Sequence, residues 1–334
     1  MQILRKIAFP FSLLYFLVVY LRNLCYDFKF FKSNVFKTPT ICIGNLSVGG
    51  TGKTPMIIYL IELLQHDYKI AVLSRGYKRK TKGFLLATEN VTVQDLGDEP
   101  YQIYTKYTNI SLAVDSDRSN GIKILERIVK PDLILLDDAF QHRKVRPSLS
   151  ILLTTFSKPY YNDWYLPTGD LRDSIKESAR AAIIIITKCP ENSSKNEHDQ
   201  IIKQIKPKAY QKVLFSKISY SNLLIGEDKE MTLIDLKEKD FSLVTGIANP
   251  KPLVDYLKSK NLTFKHYNYP DHYFFKENDF TKFSKHELII TTEKDYTKLK
   301  GKLDNIMYLE IKHTFLNNDE LELKSTIVNV IKDY

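Results

Sequence analysis

The chain has 334 residues with 43% hydrophobic content, enough to bury a full core and long enough for two domains. Its 49 Lys and Arg against 39 Asp and Glu give a formal net charge of +10, spread along the chain, which points to an anionic partner: nucleic acid, an acidic membrane surface or a phosphorylated substrate. No zinc-finger spacing or aromatic RNA-binding signature accompanies that charge, which makes nucleic acid the weakest option, and the scattered Cys25, Cys42 and Cys189 exclude a disulfide framework and a cysteine metal site, as expected of reduced thiols in a cytosolic setting.

The first predicted element is an apolar run over residues 7–21, with Arg5 and Lys6 before it and Arg22 after it. It is shorter than the roughly 20 residues that span a bilayer, and no small-residue cleavage site follows. A buried core helix and an interfacial membrane helix both fit the run. Tyr15, Tyr20 and Tyr26, with Arg22, Lys29 and Lys32, favour the interfacial one, because amphipathic rings and basic side chains suit the headgroup boundary.

Thr40-Ile41-Cys42-Ile43 reads as a strand, Ser47-Val48-Gly49-Gly50-Thr51-Gly52-Lys53-Thr54 as a glycine-rich loop, and residues 56–64, entered through Pro55, as a helix. Small residues let backbone N–H groups close around phosphate oxygens at the positive end of a helix. Lys53 is placed to reach the β- and γ-phosphates of ATP, and the Thr54 hydroxyl to bind Mg²⁺. The generic pattern has Gly where this chain has Ser47.

Strands and helices then alternate as in a parallel α/β sheet. Residues 69–73 form a strand ending at Ser74-Arg75-Gly76-Tyr77, and a hairpin is expected between 84–87 and 91–93. Gly97-Asp98-Glu99-Pro100 opens a helix through Tyr107. A strand at 110–114 and a helix at 118–129 precede the strand 133–136, which runs into Asp137-Asp138. Further strands are expected at 149–153 and 182–186, a polar surface helix within 191–212, and extended structure from 213 to 225. A second α/β unit begins near 241–246, with a helix at 251–260, a loop at 267–276, a strand at 288–291 and a final amphipathic helix from Asp319.

The fold class read from this pattern is α/β. A P-loop NTPase-like, mostly parallel sheet domain (37–212) follows an N-terminal hydrophobic helix region (1–36). An extended connection (213–238) leads to a smaller α/β domain (239–334).

Several constellations bear on chemistry. Asp137-Asp138 at a strand tip beside a phosphate loop suits Mg²⁺, held directly or through water. Asp98 and Glu99 at a helix entrance are simple capping groups or, in Asp98, the carboxylate that accepts a hydroxyl proton in phosphoryl transfer. His272, beside Asp271, is able to orient or share the proton of such a base if its loop faces the first domain. Arg75 and Arg172 are candidates to offset phosphate charge. Gln141-His142 is a possible nucleotide or substrate contact, and Thr292-Glu293-Lys294-Asp295 a hinge or substrate contact.

These motifs in this order resemble the tetraacyldisaccharide 4′-kinase family, the lipid A 4′-kinases of Gram-negative bacteria. The likeness is carried by residues 44–55, Leu73-Ser74-Arg75-Gly76-Tyr77, Gly97-Asp98-Glu99-Pro100, residues 137–142, Leu166-Pro167 through Leu171-Arg172, Gly246-Ile247-Ala248, Pro270-Asp271-His272 and residues 291–295. It implies an ATP- and Mg²⁺-dependent kinase acting on the 4′-hydroxyl of a tetraacylated glucosamine disaccharide 1-phosphate to give lipid IV-A. It also implies two α/β lobes joined by extended strands and an N-terminal helix at the cytoplasmic face of the inner membrane. By the family pattern Asp98 is the catalytic carboxylate, His272 its support, and Asp137 and Asp138 the acidic pair at Mg²⁺–ATP.

Ala139, Asp173 and Tyr273 depart from the family's usual Gly, Glu and His. The shorter Asp173 leaves open, as does Glu99, whether it touches the metal. No motif points to an obligate protein partner or to nucleic acid. Two other classes remain open at this level: a membrane-associated P-loop ATPase used as a switch, and a basic nucleic-acid-binding NTPase.

Overall fold

The computed structural model describes residue 5 and residues 7–334; residues 1–4 and Lys6, part of the N-terminal segment read above, lie outside the described residues. In chain order the strands are Thr40–Asn45 (β1), Ile70–Ser74 (β2), Leu85–Leu86 (β3), Ser111–Val114 (β4), Leu133–Asp137 (β5), Leu149–Thr155 (β6), Ile183–Thr187 (β7), Lys212–Ile225 (β8), Glu230–Thr232 (β9), Phe241–Thr245 (β10), Lys265–Asn268 (β11), Leu288–Thr292 (β12) and Ile306–Phe315 (β13). The helices are Phe9–Asp27 (α1), Lys53–Leu64 (α2), Val93–Leu96 (α3), Asp98–Lys106 (α4), Arg118–Ile128 (α5), Lys195–Ile205 (α6), Lys251–Ser259 (α7), Glu277–Phe283 (α8), Glu293–Leu299 (α9) and Asp319–Lys332 (α10).

All the strands join one sheet. In its first lobe β4, β2, β5, β1, β6, β7 and the start of β8 run parallel, with β3 antiparallel at the edge. Strands covered on both faces must be apolar throughout. Alternation then divides each between two cores: Ile41 and Ile43 enter one with Met56 and Ile57, while Cys42 enters the other with Leu136 and Phe140. The carboxyl ends of the parallel strands share one edge, the usual place for a ligand in an open α/β sheet.

β8 crosses between lobes. Its residues Lys212 to Phe215 pair with β7, and its later residues pair antiparallel with β13. In the second lobe β11, β10, β12 and β13 are parallel, and two further cores cover the faces.

Three expectations are corrected. Residues 84–87 and 91–93 do not form a hairpin: β3 pairs with β4, and a Thr92–Asp95 capping box turns residues 93–96 into a helix. The connection read as the single extended segment 213–238 is one half of a two-stranded ribbon, in keeping with the extended strands the resemblance implied, because β13, absent from the reading of the residues, returns along β8. The final helix does not belong with 239–318: Leu323 and Ile327 of α10 are fully buried in the same core as Met56, Ile57 and Leu60 of α2.

Helix α1 spans 19 residues, longer than the apolar run because it continues through Arg22 to Asp27, with a mean hydropathy of 1.3 in its most apolar window. Its orientation is inverted relative to an ordinary surface helix. The buried positions are Ser12, Val19 and Asn23. Ser12 Oγ takes the Thr168 N–H at 3.0 Å, and Asn23 Nδ2 donates to Asp173 Oδ1 at 2.7 Å. Phe11, Leu13, Leu14, Leu17, Val18 and Leu21 face outward and are exposed.

Candidate active site

Gly49 (φ 111°) and Gly52 (φ 91°) adopt left-handed backbone in the loop between β1 and α2, a conformation that side chains resist. The loop is pinned from three directions. Val48 N–H donates to the Asp170 carbonyl (2.7 Å), Thr187 Oγ to the Thr51 carbonyl (2.8 Å), and His313 Nε2 to the Gly52 carbonyl (3.1 Å). Burial holds the His313 imidazole down at about 4, so it is neutral; with Nε2–H donating, Nδ1 accepts from Ser216 Oγ at 3.1 Å. Among the described residues the N-terminus of α2 has no side-chain cap and Ser47 Oγ is buried without a partner, which leaves both to an anion held by the loop.

At the end of β5 the two acidic residues differ in environment. Asp138, at φ 45°, is gripped by the Arg172 fork: Nη1 reaches Oδ2 at 3.0 Å and Nη2 reaches Oδ1. Lys53 Nζ stands 3.8 Å from Asp138 Oδ1 and 3.5 Å from Asn45 Oδ1, and Arg172 also bonds Asn45 Oδ1 at 2.5 Å. Burial raises the Asp138 carboxyl, but the Arg172 bond and the Lys53 charge outweigh it and hold the group at about 2. Asp137 is pushed up to about 6, first by burial and then by Glu99 and Asp138, against the 2.8 Å bond from Ser74 Oγ. Its Oδ1 is buried with no hydrogen-bond partner among the described residues.

That uncommitted carboxylate oxygen, the Thr54 hydroxyl at the start of α2 and neighbouring Asp138 fit Mg²⁺. This ion binds through one or two carboxylates while keeping waters and phosphate oxygens. Among the described residues no cluster of three or more His, Cys, Asp or Glu would hold a metal without such a substrate.

Asp98 opens α4. Gly97 before it has φ 90°, and a Cβ there would stand 2.7 Å from the Tyr77 carbonyl, so the helix start lies against the turn after β2. That turn follows the carboxyl end of β2, which runs parallel beside β5, so Asp98 lies on the same sheet edge as the acidic pair. His272 Nδ1 reaches Asp98 Oδ2 at 3.0 Å, and the Tyr77 ring meets the imidazole edge-on at 5.6 Å. With Lys294 Nζ at 3.4 Å from Nε2, the network assigns the imidazole proton to Nδ1. Lys298 Nζ lies 2.8 Å from the same Asp98 oxygen. Burial raises the Asp98 carboxyl, and the His272 and Lys298 bonds more than offset it, holding the group at about 2.

Lys53, Arg172, Asp137 and Asp138 therefore meet, as do Asp98 and His272. Arg75 is exposed just past β2 and makes no ion pair or hydrogen bond among the described residues. Asp173 is fully buried and bonds Asn23 and Ser174, which commits it to α1. Gln141 Nε2 bonds the Asn45 carbonyl at 2.7 Å, and half-buried His142 lies 3.8 Å from Asp117. Thr292 caps α9, and Asp295 Oδ2 receives the Gly246 N–H at 2.7 Å, a structural use of that segment.

The sequence reading missed Asn45, Arg118 and Lys298 as site residues. Arg118 is buried and donates to the Asp137 carbonyl at 3.2 Å. Its position at the start of α5, after the tip of β4, was the available signal.

Fold and site together define a nucleotide-binding protein of the P-loop NTPase class. The profile of the tetraacyldisaccharide-1-P 4'-kinase family matches residues 4–332. A tetraacyldisaccharide 4'-kinase of Flavobacterium johnsoniae is 45% identical, covering 100% of this chain and 99% of its own. One from Bacteroides thetaiotaomicron is 40% identical over 99% of this chain and 94% of its own. The crystal structure of "apo" form LpxK from Aquifex aeolicus in complex with ATP superposes with a TM-score of 0.81 at 31% identity, covering 98% of this chain and 99% of that one. The chain belongs to the tetraacyldisaccharide-1-P 4'-kinase family.

Proposed function

We propose that this chain transfers the γ-phosphoryl group of ATP to the 4′-hydroxyl of a tetraacyldisaccharide 1-phosphate, giving lipid IV-A. The observation that carries the mechanism is the 3.0 Å contact between Asp98 and His272, made across the two lobes on the sheet edge that holds the phosphate loop. Asp98 accepts the hydroxyl proton as the sugar oxygen forms its bond to the γ-phosphorus, and the bond from that phosphorus to the ADP oxygen breaks. His272 holds the carboxylate in place through Nδ1–H. The loop Ser47 to Thr54 cradles the phosphates. Lys53 and Arg172 exchange their present contacts for charge on the transferring group, and Arg75, exposed just past β2, is free to add its own. Thr54, Asp137 and Asp138 would hold Mg²⁺, which would supply charge neutralisation to the phosphates.

The acceptor is a lipid, and the outward apolar face of α1 is the feature suited to the cytoplasmic leaflet of the inner membrane. Basic side chains elsewhere add attraction to anionic headgroups. Purified protein with γ-labelled ATP, Mg²⁺ and the disaccharide 1-phosphate in detergent is expected to yield a labelled lipid. ATP consumption with no label in the lipid would overturn the proposal, as would activation by nucleic acid.

A further inference from the structure

Asp98 receives two donors on one oxygen. His272 Nδ1 and Lys298 Nζ both reach Oδ2, at 3.0 and 2.8 Å, while Oδ1 makes no hydrogen bond among the described residues. We propose that Lys298 is the third member of this unit, a buried positioning cation that fixes one oxygen of Asp98 and so turns the other toward the acceptor hydroxyl. The proposal rests on the reading of Asp98 as the base.

Lys298 is 4% exposed, a rare state for a lysine and one that requires paired charge. Its second carboxylate is Asp295, one turn earlier on α9, with Oδ1 at 3.5 Å. Asp295 cannot follow the lysine elsewhere, because Gly246 N–H and Thr292 Oγ hold its Oδ2 at 2.7 and 2.8 Å. The ammonium is further directed by the Tyr273 carbonyl at 3.4 Å. The charged groups facing Asp98 are thus His272 and, behind it, Asp271 from the loop after β11, Lys294 and Lys298 from α9, and Glu99 from α4 itself. Lys294 is bonded to Asp271 at 3.1 Å, leaving Lys298 as the cation in direct contact with the carboxylate.

The sharing between two carboxylates has a use during turnover. When the sugar O–H bond breaks and its proton moves to Asp98 Oδ1, Asp98 becomes neutral. Asp295 then still balances Lys298, so no buried charge is stranded. Saturating Oδ2 with two donors lowers the basicity of Asp98 but keeps it ionised at every working pH, consistent with its depressed carboxyl.

The test is the pH titration of the Asp98 carboxyl carbon in the full-length protein, with kcat and KM for ATP, Mg²⁺ and lipid acceptor measured beside it, comparing wild type with Lys298→Met, Lys298→Gln and Lys298→Arg. The neutral variants are expected to move the Asp98 titration upward, to at least the ordinary carboxylate range of about 4. They should lose at least roughly tenfold in kcat near pH 7, with the KM for ATP within about twofold. Lys298→Arg should leave the titration in place. An unmoved titration in both neutral variants overturns the proposal.

Gln stands in if Met does not fold. Independently of any variant, the Asp98 carboxyl carbon in the wild-type protein should titrate below the ordinary carboxylate value, and a titration at or above it overturns the proposal. Asp98→Asn separates the two ideas: if it turns over like wild type, the base reading falls. If it is inactive while the Asp98 titration stays put in the neutral Lys298 variants, only the role of Lys298 falls.

Discussion

Lys106 sits on the same face of α4 as Asp98 and Gln102, and it ties that face to the second lobe. Its ammonium lies 3.1 Å from Glu293 and also contacts Glu310, while Gln102 Nε2 bonds Glu293 at 2.9 Å. The two carboxylates respond differently. Burial raises both, but the Lys106 bond and charge bring Glu310 below its ordinary value, whereas Glu293 stays raised. Glu310 is therefore the primary partner, and Glu293 is the group that protonates first if the lysine is lost. Lys106→Met keeps the volume and leaves two carboxylates facing each other.

Breaking a buried pair from one side costs about 3–5 kcal/mol. The lower end applies here, because Lys106, Glu293 and Glu310 keep 15%, 8% and 10% of their side chains exposed. About 3 kcal/mol corresponds to roughly a 150-fold shift in an equilibrium at 1.36 kcal/mol per decade. Urea denaturation and steady-state turnover, each at pH 8 and pH 5, measure the effect. Without Lys106 the folded-state carboxyl of Glu293 rises further above its unfolded value. The folded chain then binds the extra proton as pH falls, and the deficit at pH 5 should be smaller than at pH 8. Adding Glu293→Gln to Lys106→Met should recover at least half of the loss. A Lys106→Met protein as stable and active as wild type would refute the latch, as would a double variant no better than the single one with a deficit independent of pH.

Three further outcomes are expected. His313 is neutral when folded and titrates at about 4 against an unfolded value of about 6.5, so the unfolded chain takes up the proton first and stability falls as pH drops through that window. The loss attributable to His313 between pH 7.5 and 5 is about 2 kcal/mol by urea midpoints. His313→Gln, which keeps a donor for Gly52, should remove it, although His142, also held at about 4, retains its own share. Arg172→Lys replaces a fork on both Asp138 oxygens with a point charge and should lower kcat/KM by about 10- to 100-fold; an unchanged value would show that the fork is dispensable. Leu14→Gln with Val18→Gln removes the apolar character of the outward face of α1 without adding charge and without touching Ser12 or Asn23. It should release the protein from anionic vesicles in flotation while ATP affinity stays within about twofold, and undiminished flotation would remove α1 as the membrane contact.

The phosphate loop, the strand ending at Asp137 and the helix beginning at Asp98 were legible because each is a local pattern, with glycine-rich turn, apolar run and acidic cap close together in sequence. The strand β13 was not, because Glu310, Lys312 and His313 interrupt its apolar alternation. Those side chains serve the ribbon and the phosphate loop, a long-range demand that periodicity does not carry. Lys106 and Lys298 carried no signal for the same reason: Glu293 and Glu310, the partners of Lys106, and Asp98, the partner of Lys298, lie across the lobe boundary. The hairpin expected at 91–93 followed from the β-branched run Val91-Thr92-Val93, although Thr92 and Asp95 already had the spacing of a capping box. The polarity of α1 was visible in composition, but only packing reveals that Ser12 and Asn23, rather than the leucines, face the protein.

The central claim is that Asp98 takes the proton of the attacking hydroxyl. Rapid-quench single turnover of Asp98→Asn, with ATP and lipid acceptor saturating, tests it most directly. ATP should bind as in wild type while the phosphoryl-transfer step slows by about 10²- to 10⁴-fold. A transfer rate within a few-fold of wild type would contradict the claim.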